Sequence, residues 1–245
     1  SATLLGAATA GTFADSNVGA RIAVTPTLTG LSLNNSNYFI AGIDAAMTAA
    51  ITPASVTVSG LSVANKVYDA TTAATMSGTP TAFGVLSGDS VTVTGAVSGA
   101  FVRADAGTSI AVTANLAGLS LSNSNYQITG MTAALAADIA AAPLTVTADN
   151  KSMVYGSTSP VLTYAYTGLV GGDTSASFNG AIATNAAFTS SVGSAYTITQ
   201  GTLASSSANY RIATFNAGSF RIGARPLTVT VDAGQSKVYG SADPS

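Results

Sequence analysis

The sequence predicts an all-β protein built of tandem β-sandwich domains. Three observations support this prediction: a composition that disfavours helices, short stretches in which apolar and polar residues alternate, and a long internal repeat. The repeat is the most informative of the three, because its length gives the size of the folding unit.

The composition disfavours helices and suits strands. Charged residues make up only 7% of the chain, and Glu, His, Cys and Trp do not occur. Exposed helix faces normally carry Glu, Lys, Gln and Arg, which are scarce in this chain. Thr, Ser and Val are abundant, and they suit the solvent and core faces of strands.

The charge and the apolar pattern argue against two kinds of partner. A net charge of −2 does not provide the clustered Lys and Arg that nucleic-acid binding needs. The most apolar window, Ile128–Val146, is long enough to span a bilayer, but it contains Asp138 and Pro143. We therefore expect no nucleic-acid partner and no membrane insertion.

One stretch of the sequence occurs twice, at a spacing of 88 residues. Gly11–Ile40 aligns with Gly99–Ile128 without a gap, and 17 of the 30 pairs are identical. The alignment includes GLSLNNSNYFI at Gly30–Ile40 and GLSLSNSNYQI at Gly118–Ile128. A looser copy, LASSSANYRI, follows at Leu203–Ile212. The recurrence predicts similar structural units along the chain.

The starts of the units recur as well. Each start has an alternating strand, a polar turn and then Val-Tyr, at Ser55–Asp69, Pro143–Gly156 and Pro226–Gly240. We divide the chain accordingly into repeat A (1–52), which is the back half of a unit, repeat B (53–142), repeat C (143–224) and an opening segment (225–245). Units of 80 to 90 residues are close to an Ig-like sandwich of about 100 residues. The sequence therefore predicts tandem Ig-like β-sandwich domains in an elongated array, with short joints at Thr52-Pro53, Ala142-Pro143 and Arg225-Pro226.

The Ala-rich ends of repeats A and B are predicted to be strands, although Ala favours helices. One face at period two is formed by Ile43, Ala45, Met47, Ala49 and Ile51 in repeat A, and by Met131, Ala133, Leu135, Ala137 and Ile139 in repeat B. Repeat C has Phe220 and Ile222 in the same place, each between polar neighbours. A position of the fold that is Ala-rich in two repeats and alternates between apolar and polar residues in the third is better explained as a strand.

The repeated phrase predicts a strand, a corner and a second strand. Tyr38, Tyr126 and Tyr210 each follow Asn and precede an Ile by two residues. In Ig-like sandwiches a Tyr at such a corner turns its hydroxyl back onto the backbone of the preceding corner. We interpret the three tyrosines as buried corner residues. The functional alternative is a Tyr that stacks on a carbohydrate.

Repeat B resembles the YDG domain of large bacterial surface proteins, on NKVYDATTAAT (Asn65–Thr75) and GDSVTVTGAVSGAF (Gly88–Phe101). The Val-Tyr-Asp of that signature is Val67-Tyr68-Asp69 here. Repeat C is similar to the MBG (mostly bacterial Ig-like) domain, on LTVTADNKSMVYGSTSPVLTYAYTGLVGGDT and SANYRI. Repeat A resembles a truncated YDG unit, and the opening segment resembles the start of another MBG unit.

The resemblance implies a structural or adhesive function and no enzymatic activity. Such domains occur in tandem in secreted filamentous-haemagglutinin-like adhesins at the surface of Gram-negative bacteria, in stalks or extracellular fibres of adhesion and biofilm. The implied partners are neighbouring repeats of the same chain or copies of itself in a fibre. The alternative is a module that binds surface glycans or a receptor through loops at the sandwich ends, with GTPTAF (Gly78–Phe83) as one candidate loop.

The residues themselves offer little chemistry. Without His, Cys or Glu, no nucleophile has an evident base, so we expect no catalytic residue and no cofactor. A structural calcium ion is an alternative, because carboxylates are hard ligands and Asp69, Asp105 and Asp149 fall near expected turns. Lys66, Lys151 and Lys237 recur just before Val-Tyr and raise the alternative of a Lys–Asn crosslink, against which we expect solvated lysines.

Repeat A and the opening segment each contain part of a unit, which leaves two interpretations. The sequence is either a window on a longer chain, or neighbouring copies complete each other's half units. The two pieces together are shorter than one unit and resemble different domain types. We expect the window.

Overall fold

The computed structural model describes residues 1–243, so the last two residues of the opening segment lie outside it. The prediction of an all-β fold is confirmed, because residues 1–243 contain strands, turns and bends but no helix. Nor does this part of the chain contain any helical segment with the length and apolar character needed to cross a lipid bilayer.

Twenty-four strands follow one another along residues 1–243. Those of repeat A are β1 (Leu4–Gly6), β2 (Ala10–Phe13), β3 (Gly19–Thr27), β4 (Leu31–Leu33) and β5 (Met47–Ile51). Those of repeat B are β6 (Ala54–Val63), β7 (Lys66–Val67), β8 (Ala73–Ala74), β9 (Met76–Phe83), β10 (Val93–Gly95), β11 (Ser98–Phe101), β12 (Gly107–Asn115), β13 (Leu119–Leu121), β14 (Tyr126–Met131) and β15 (Leu135–Ala140). Then come β16 (Ala142–Ala148), β17 (Lys151–Val154), β18 (Tyr164–Thr167), β19 (Phe178–Asn179), β20 (Ala183–Thr184), β21 (Tyr196–Thr199), β22 (Ala204–Ser205), β23 (Tyr210–Asn216) and β24 (Gly218–Gly223).

The chain divides into two compact units whose bounds differ from those of the repeats. Unit 1 contains residues 1–66, 72–104 and 108–139. Unit 2 contains residues 67–71, residues 105–107 and the chain from Ala140 on. Residues 67–71, 105–107 and 140–142, which the sequence assigns to repeat B, therefore belong to unit 2. The four predicted repeat bounds stay predictions.

The strands of repeats A and B form five sheets. Repeat A contributes a three-stranded sheet in the order β2-β3-β5 and the pair β1-β4. Repeat B contributes a three-stranded sheet β14-β6-β9, a five-stranded sheet β7-β15-β12-β11-β8 and the pair β10-β13. The buried side chains of these sheets are mostly β-branched or aromatic, as expected where strands pack face to face: Val56, Val58, Phe101, Ile110, Val112, Tyr126 and Ile139.

Unit 2 is a β-sandwich. One sheet has the order β18-β16-β23 and the other has the order β17-β24-β21-β20. Val146 of the first sheet and Ile198 and Phe220 of the second are fully buried in one cluster. Burying a side chain of this size contributes about 1.5 to 3 kcal/mol. The shared cluster is therefore what holds the two sheets face to face.

The first strand of repeats B and C lies parallel to the strand that follows the Asn-Tyr corner. β6 pairs with β14 so that Ala54 lies opposite Tyr126, and β16 pairs with β23 so that Ala142 lies opposite Tyr210. Each pairing also has a register shift about three residues after the tyrosine. The corner therefore sets the register in which each repeat closes on its own first strand.

The Ala-rich ends are strands, as the alternation predicted. β5, β15 and β24 occupy the same place at the end of repeats A, B and C. The residues of the predicted joint at Ala142-Pro143 are the first two of β16, and Ala142 is completely buried. Pro is accepted there because it stands next to the first residue of the strand.

The predicted strand, corner and strand are present in repeats B and C and incomplete in repeat A. The phrase forms β13 and β14 in repeat B, and β22 and β23 in repeat C. In repeat A only the first of the two strands, β4, is formed, and residues 38–43 are not in a strand. In repeats B and C this second strand pairs with the first strand of its own repeat, and residues 1–37 contain no counterpart of β6 or β16.

Candidate functional site

The Asn-Tyr corner is built by short local hydrogen bonds. In repeat B the Asn123 side chain accepts the Asn125 backbone N–H at 2.9 Å, and in repeat C the Ser207 hydroxyl accepts the Asn209 N–H at 3.2 Å. Asn and Ser favour such turns because their side chains bond the backbone two residues on. The corner therefore forms from its own sequence and presents the side chains of Asn and Tyr at a fixed position.

The tyrosine of the corner binds a distant turn of its own repeat. The buried Tyr126 hydroxyl donates to Asp89 at 2.5 Å and accepts the Leu86 backbone N–H at 3.2 Å. Tyr210 is buried in the same way, and it donates to Asp173 at 2.6 Å and accepts the Val170 N–H at 3.2 Å. Each hydroxyl thus has a donor and an acceptor, which offsets the cost of burying it.

The bound turns are closed by the same backbone hydrogen bond in both repeats. The Asp89 N–H donates to the Leu86 carbonyl at 3.1 Å, and the equivalent bond from Asp173 to Val170 is also 3.1 Å. Gly88 and Gly172 have φ of 97° and 88°, a region that this type of turn needs and that glycine adopts without strain. The predicted partner of the tyrosine is therefore corrected, because the hydroxyl reaches a turn about forty residues upstream and not the adjacent corner.

Tyr38 is not buried, so the prediction for repeat A is wrong. Its side chain is 57% exposed and the adjacent Phe39 is 86% exposed. The carboxylate that binds the hydroxyl lies 37 residues before the tyrosine in repeats B and C, and that position in repeat A is Ser1. Without an aspartate turn and without the parallel first strand, the Tyr38 hydroxyl has, within residues 1–243, neither of the hydrogen bonds that its counterparts in repeats B and C make.

The asparagine of the corner binds a loop of the preceding repeat. The Asn125 Oδ1 accepts the Val18 backbone N–H at 2.9 Å, while its Nδ2 donates to the Asn17 Oδ1 at 2.8 Å. Both bonds lie within unit 1, and they join residues 107 and 108 positions apart. The carboxamide thus forms hydrogen bonds with one backbone N–H and one side-chain oxygen at the same time.

Unit 2 contains the same pair of hydrogen bonds. The Asn209 Oδ1 accepts the Ala106 N–H at 2.8 Å, and its Nδ2 donates to the Asp105 carboxylate at 2.9 Å. Asp105 and Ala106 follow Asn17 and Val18 by 88 residues, which is the spacing of the repeat. We call each pair of bonds the asparagine clamp. The sequence analysis missed it, although the recurrence of Asn at this position in all three copies was the available signal.

The Val-Tyr-Asp signature lies beside the second clamp, within unit 2. The Tyr68 hydroxyl donates to Asp173 at 3.2 Å, so this carboxylate accepts from Tyr68 and Tyr210 together. The two rings meet edge to face, with centroids 5.5 Å apart. Such aromatic pairs contribute about 0.5 to 1.5 kcal/mol beyond the area they bury. Tyr68 is only 7% exposed as a result.

The surroundings raise the pKa of the three tyrosines. For Tyr68 and Tyr210 the main cause is burial, followed by the hydrogen bond to Asp173, since both favour the neutral phenol. For Tyr126 the hydrogen bond to Asp89 is the main cause of the raised pKa, and burial adds to it. All three hydroxyls therefore stay protonated over the pH range in which bacteria grow.

The residues considered for a calcium ion or for a Lys–Asn crosslink make other contacts in the structure. Asp69 accepts hydrogen bonds from the Thr71 N–H and hydroxyl at 2.9 Å each. Asp105 accepts one from the Asn209 side chain, and Asp149 accepts one from the Thr163 hydroxyl. Within residues 1–243 no three acidic side chains lie close enough to hold a metal ion. Lys66 lies 5.5 Å from the centroid of the Phe101 ring, and Lys237 pairs with Asp243.

The fold and the corner together define a protein made of small repeated β domains. Residues 52–133 match the family model of the YDG domain, and residues 144–221 match that of the MBG domain (YGX type). The resemblance seen in the sequence is thereby confirmed. YDG and MBG domains are repeat domains typical of large bacterial surface proteins. Searches of curated proteins and of solved structures found no match to the chain.

The residue that follows Tyr68-Asp69 adopts a strained backbone conformation. Position 70 is Ala in this chain, and its φ of 62° lies in the left-handed region. An L-residue other than glycine pays about 1 to 2 kcal/mol for that conformation. A Cβ added at Gly171 would come within 2.2 Å of the Ala70 Cβ, so the two backbones approach closely here. Glycine at position 70 would relieve both constraints.

We predict that Ala70→Gly stabilises unit 2 by up to about 1 kcal/mol, because relief of the left-handed strain exceeds the entropy that glycine gains on unfolding. Urea unfolding of the whole chain measures the change. The matched control is Ala187→Gly, at an exposed position with negative φ, which we expect to be neutral or destabilising by about 0.5 to 1 kcal/mol. Equal effects of the two substitutions would contradict the prediction.

We predict that the stability of the chain falls as the pH rises above about 10, the pKa of an unperturbed Tyr. Above that pH the unfolded chain loses tyrosine protons that the folded chain retains, so the free energy of unfolding decreases with pH. The stabilising contribution is complete below that pH and is lost as the pH rises through the raised pKa values of the folded state. Urea midpoints between pH 8 and pH 11 measure the slope.

The tyrosines responsible can be assigned by substitution. Tyr210→Phe removes one of the perturbed hydroxyls, so the decrease in stability with pH becomes smaller than in the original chain. Tyr239→Phe is the matched control, because Tyr239 is fully exposed and its substitution leaves the slope unchanged. An unchanged slope in Tyr210→Phe would show that the Tyr210 proton is held no more tightly in the folded state.

Proposed function

We propose that the chain is a structural segment of a long secreted surface protein of a Gram-negative bacterium, which acts as a stalk or extracellular fibre in adhesion or biofilm. The observation that carries the proposal is the asparagine clamp, which occurs twice with the same atoms and nearly the same distances. A contact made between successive repeats, at the repeat spacing, serves the construction of an array.

The covalent connections support the same proposal. Two residues separate β5 from β6, and one residue separates β15 from β16. The first residue of each following strand is then held by the corner, since the Ala54 N–H donates to the Asn125 carbonyl and the Ala142 N–H to the Asn209 carbonyl, both at 2.8 Å. The end of one repeat is thus followed, after one or two residues, by the first strand of the next.

The surface chemistry suits a structural part of an extracellular protein. The joints consist mainly of neutral carboxamides, hydroxyls and backbone groups, and the chain has few charges to attract other macromolecules. The proposal assigns the chain no catalytic role, in keeping with the repeat domains that it matches. The proposed partners are its neighbouring repeats, or copies of itself in a fibre.

The alternative of a binding module loses its candidate loop. GTPTAF, at Gly78–Phe83, lies inside β9, where it pairs with β6. Its backbone is therefore committed to the sheet, and a strand varies its conformation less than a loop does. The prediction of a binding loop at this place is wrong, and no other contact favours a particular glycan or receptor.

The location is tested by labelling cells of the bacterium that produces the protein with antibodies raised against the folded chain. We expect intact cells to be labelled as strongly as permeabilised cells, with an antibody against a cytoplasmic enzyme as the negative control. Labelling that requires permeabilisation would contradict a surface location.

A glycan array separates the stalk from the binding module. A structural segment is expected to show no saturable binding by the folded chain, whereas a glycan-binding module binds a defined set. Tyr38 and Phe39 are adjacent exposed aromatic side chains, and such side chains can stack on a carbohydrate. The variant Tyr38→Ala is therefore the control for any signal. Saturable binding that Tyr38→Ala abolishes would favour the module over the stalk.

A further inference from the structure

Each asparagine clamp joins a corner asparagine to a loop of the preceding repeat. The corresponding loop of repeat C is exposed. We propose that residues 154–156 and 191–193 of repeat C form a docking surface for the Asn-Tyr corner of a further repeat of the same kind. The inference deepens the proposed function and rests on it only for the idea that repeats follow one another. Its evidence is the two clamps already described.

The backbone places Tyr155 where Tyr68 lies in the preceding repeat. The Tyr68 N–H donates to the Ala140 carbonyl at 2.8 Å, and the Tyr155 N–H donates to the Gly223 carbonyl at 2.9 Å. Ala140 and Gly223 are the last residues of β15 and β24, the closing strands of their repeats. Tyr155 is therefore the counterpart of the tyrosine that shares Asp173 with a corner.

The backbone also places Ser191 and Val192 at the positions of the clamped loops. Gly193 bonds the Ile222 carbonyl at 3.4 Å, as Gly19 pairs with Ile51 in repeat A. Counting back from these glycines, Val192 corresponds to Val18, and Ser191 corresponds to the residue that accepts the asparagine Nδ2. The Ser191 hydroxyl can accept that bond, as the Asn17 carboxamide and the Asp105 carboxylate do.

The loop of repeat C is held in place by its own contacts. The Tyr196 hydroxyl donates to the Ser191 carbonyl at 3.1 Å, and the Gly156 N–H donates to the Phe188 carbonyl at 3.0 Å. The loop departs from its counterparts in having one residue fewer after the Phe, which Gly193 accommodates with a φ of 82°. The surface is thus preformed, so docking does not require the loop to fold first.

The exposure of this surface differs from that of its occupied counterparts. Tyr155 is 42% exposed and Val192 is 47% exposed, whereas Tyr68 is 7% exposed. Within residues 1–243 the Val192 N–H has no hydrogen-bond acceptor, while the N–H groups of Val18 and Ala106 are bound by asparagines. A corner that docks here would supply the acceptor and cover the ring.

The opening segment identifies the occupant as a further repeat. Its PLTVTV, at Pro226–Val231, repeats the PLTVT of β16, and Leu227, Val229 and Val231 are each at least 80% exposed. In repeats B and C the strand at this position pairs with the strand that follows the corner. The strand that covers the opening segment therefore brings an Asn-Tyr corner with it, directly after repeat C.

The further repeat needed for a test can be built from residues of the chain itself. The Val-Tyr-Gly of the opening segment follows that of repeat C by 84 residues, so residue 245 corresponds to residue 161, and residues 162–224 appended after Ser245 complete a further repeat. Amide hydrogen exchange of Val192 is then compared between the extended and the original chain. We expect exchange of this amide to slow by at least about tenfold in the extended chain, since its N–H gains an acceptor. Tyr155 is expected to lose solvent exposure, as measured by oxidative footprinting.

Two variants separate docking from a general rise in stability. Asn→Ala in the appended copy of Asn209 is expected to return Val192 exchange to the rate of the original chain while the appended core stays protected. The internal references are Asn209→Ala and Asn125→Ala, which should speed exchange at Ala106 and Val18. A second extended chain, with residues 75–142 appended instead, provides an independent corner, that of repeat B. Tyr68 corresponds to Tyr239, so residue 74 corresponds to residue 245.

The proposal is overturned if the appended repeat folds and Val192 exchanges at the original rate. It is also overturned if neither extension folds, because the surface is expected to support the repeat that follows it. Failure of the proposed function would appear differently, as labelling only of permeabilised cells, and that result would leave the exchange data unchanged.

Discussion

A tyrosine hydroxyl that leaves water must find both a donor and an acceptor, and the rest of each repeat is arranged around this requirement. Tyr126 and Tyr210 meet it through a backbone N–H and a carboxylate on a single turn about forty residues upstream. The turn needs glycine, the corner needs Asn or Ser, and the first strand of the repeat must lie beside the tyrosine. In repeats B and C these residues therefore serve the same pair of hydrogen bonds.

The corner connects two levels of organisation. Its tyrosine binds within the repeat, while the asparagine one residue earlier binds a loop contributed by the repeat before. The two side chains share one backbone, so a repeat that has closed correctly also presents its clamp correctly. Folding of a repeat and attachment to its predecessor therefore depend on the same few residues, and an unfolded repeat cannot offer a competent joint.

Much of the fold was predictable from the sequence, whereas the joint was not. Alternation at period two was sufficient to identify the strands, even in the Ala-rich segment that became β15, because helical propensity is weaker than packing in a sheet. The burial of Tyr126 and Tyr210 followed from the recurring Ile two residues later, but the same pattern misled at Tyr38, because burial also requires the turn and strand that precede it. The Asn125 clamp joins residues more than one hundred positions apart, and pattern reasoning has no means to pair them. GTPTAF contains Gly and Pro, which favour turns, yet its residues form part of β9.

The parallel pairing of opening and closing strands has a mechanical consequence. In unit 2, β16 pairs with β23 over residues 142–147, and β17 pairs with β24 over residues 151–154. In each pair one strand lies near the start of the repeat and the other near its end. A pull on the two ends of the repeat therefore slides the strands past each other, and it strains the hydrogen bonds of a ladder together instead of opening them one after another. Forced unfolding is governed by the unfolding rate, so such a repeat resists a load far better than its modest core suggests. A tether that holds a cell against flow needs this kind of resistance more than it needs a large free energy of unfolding.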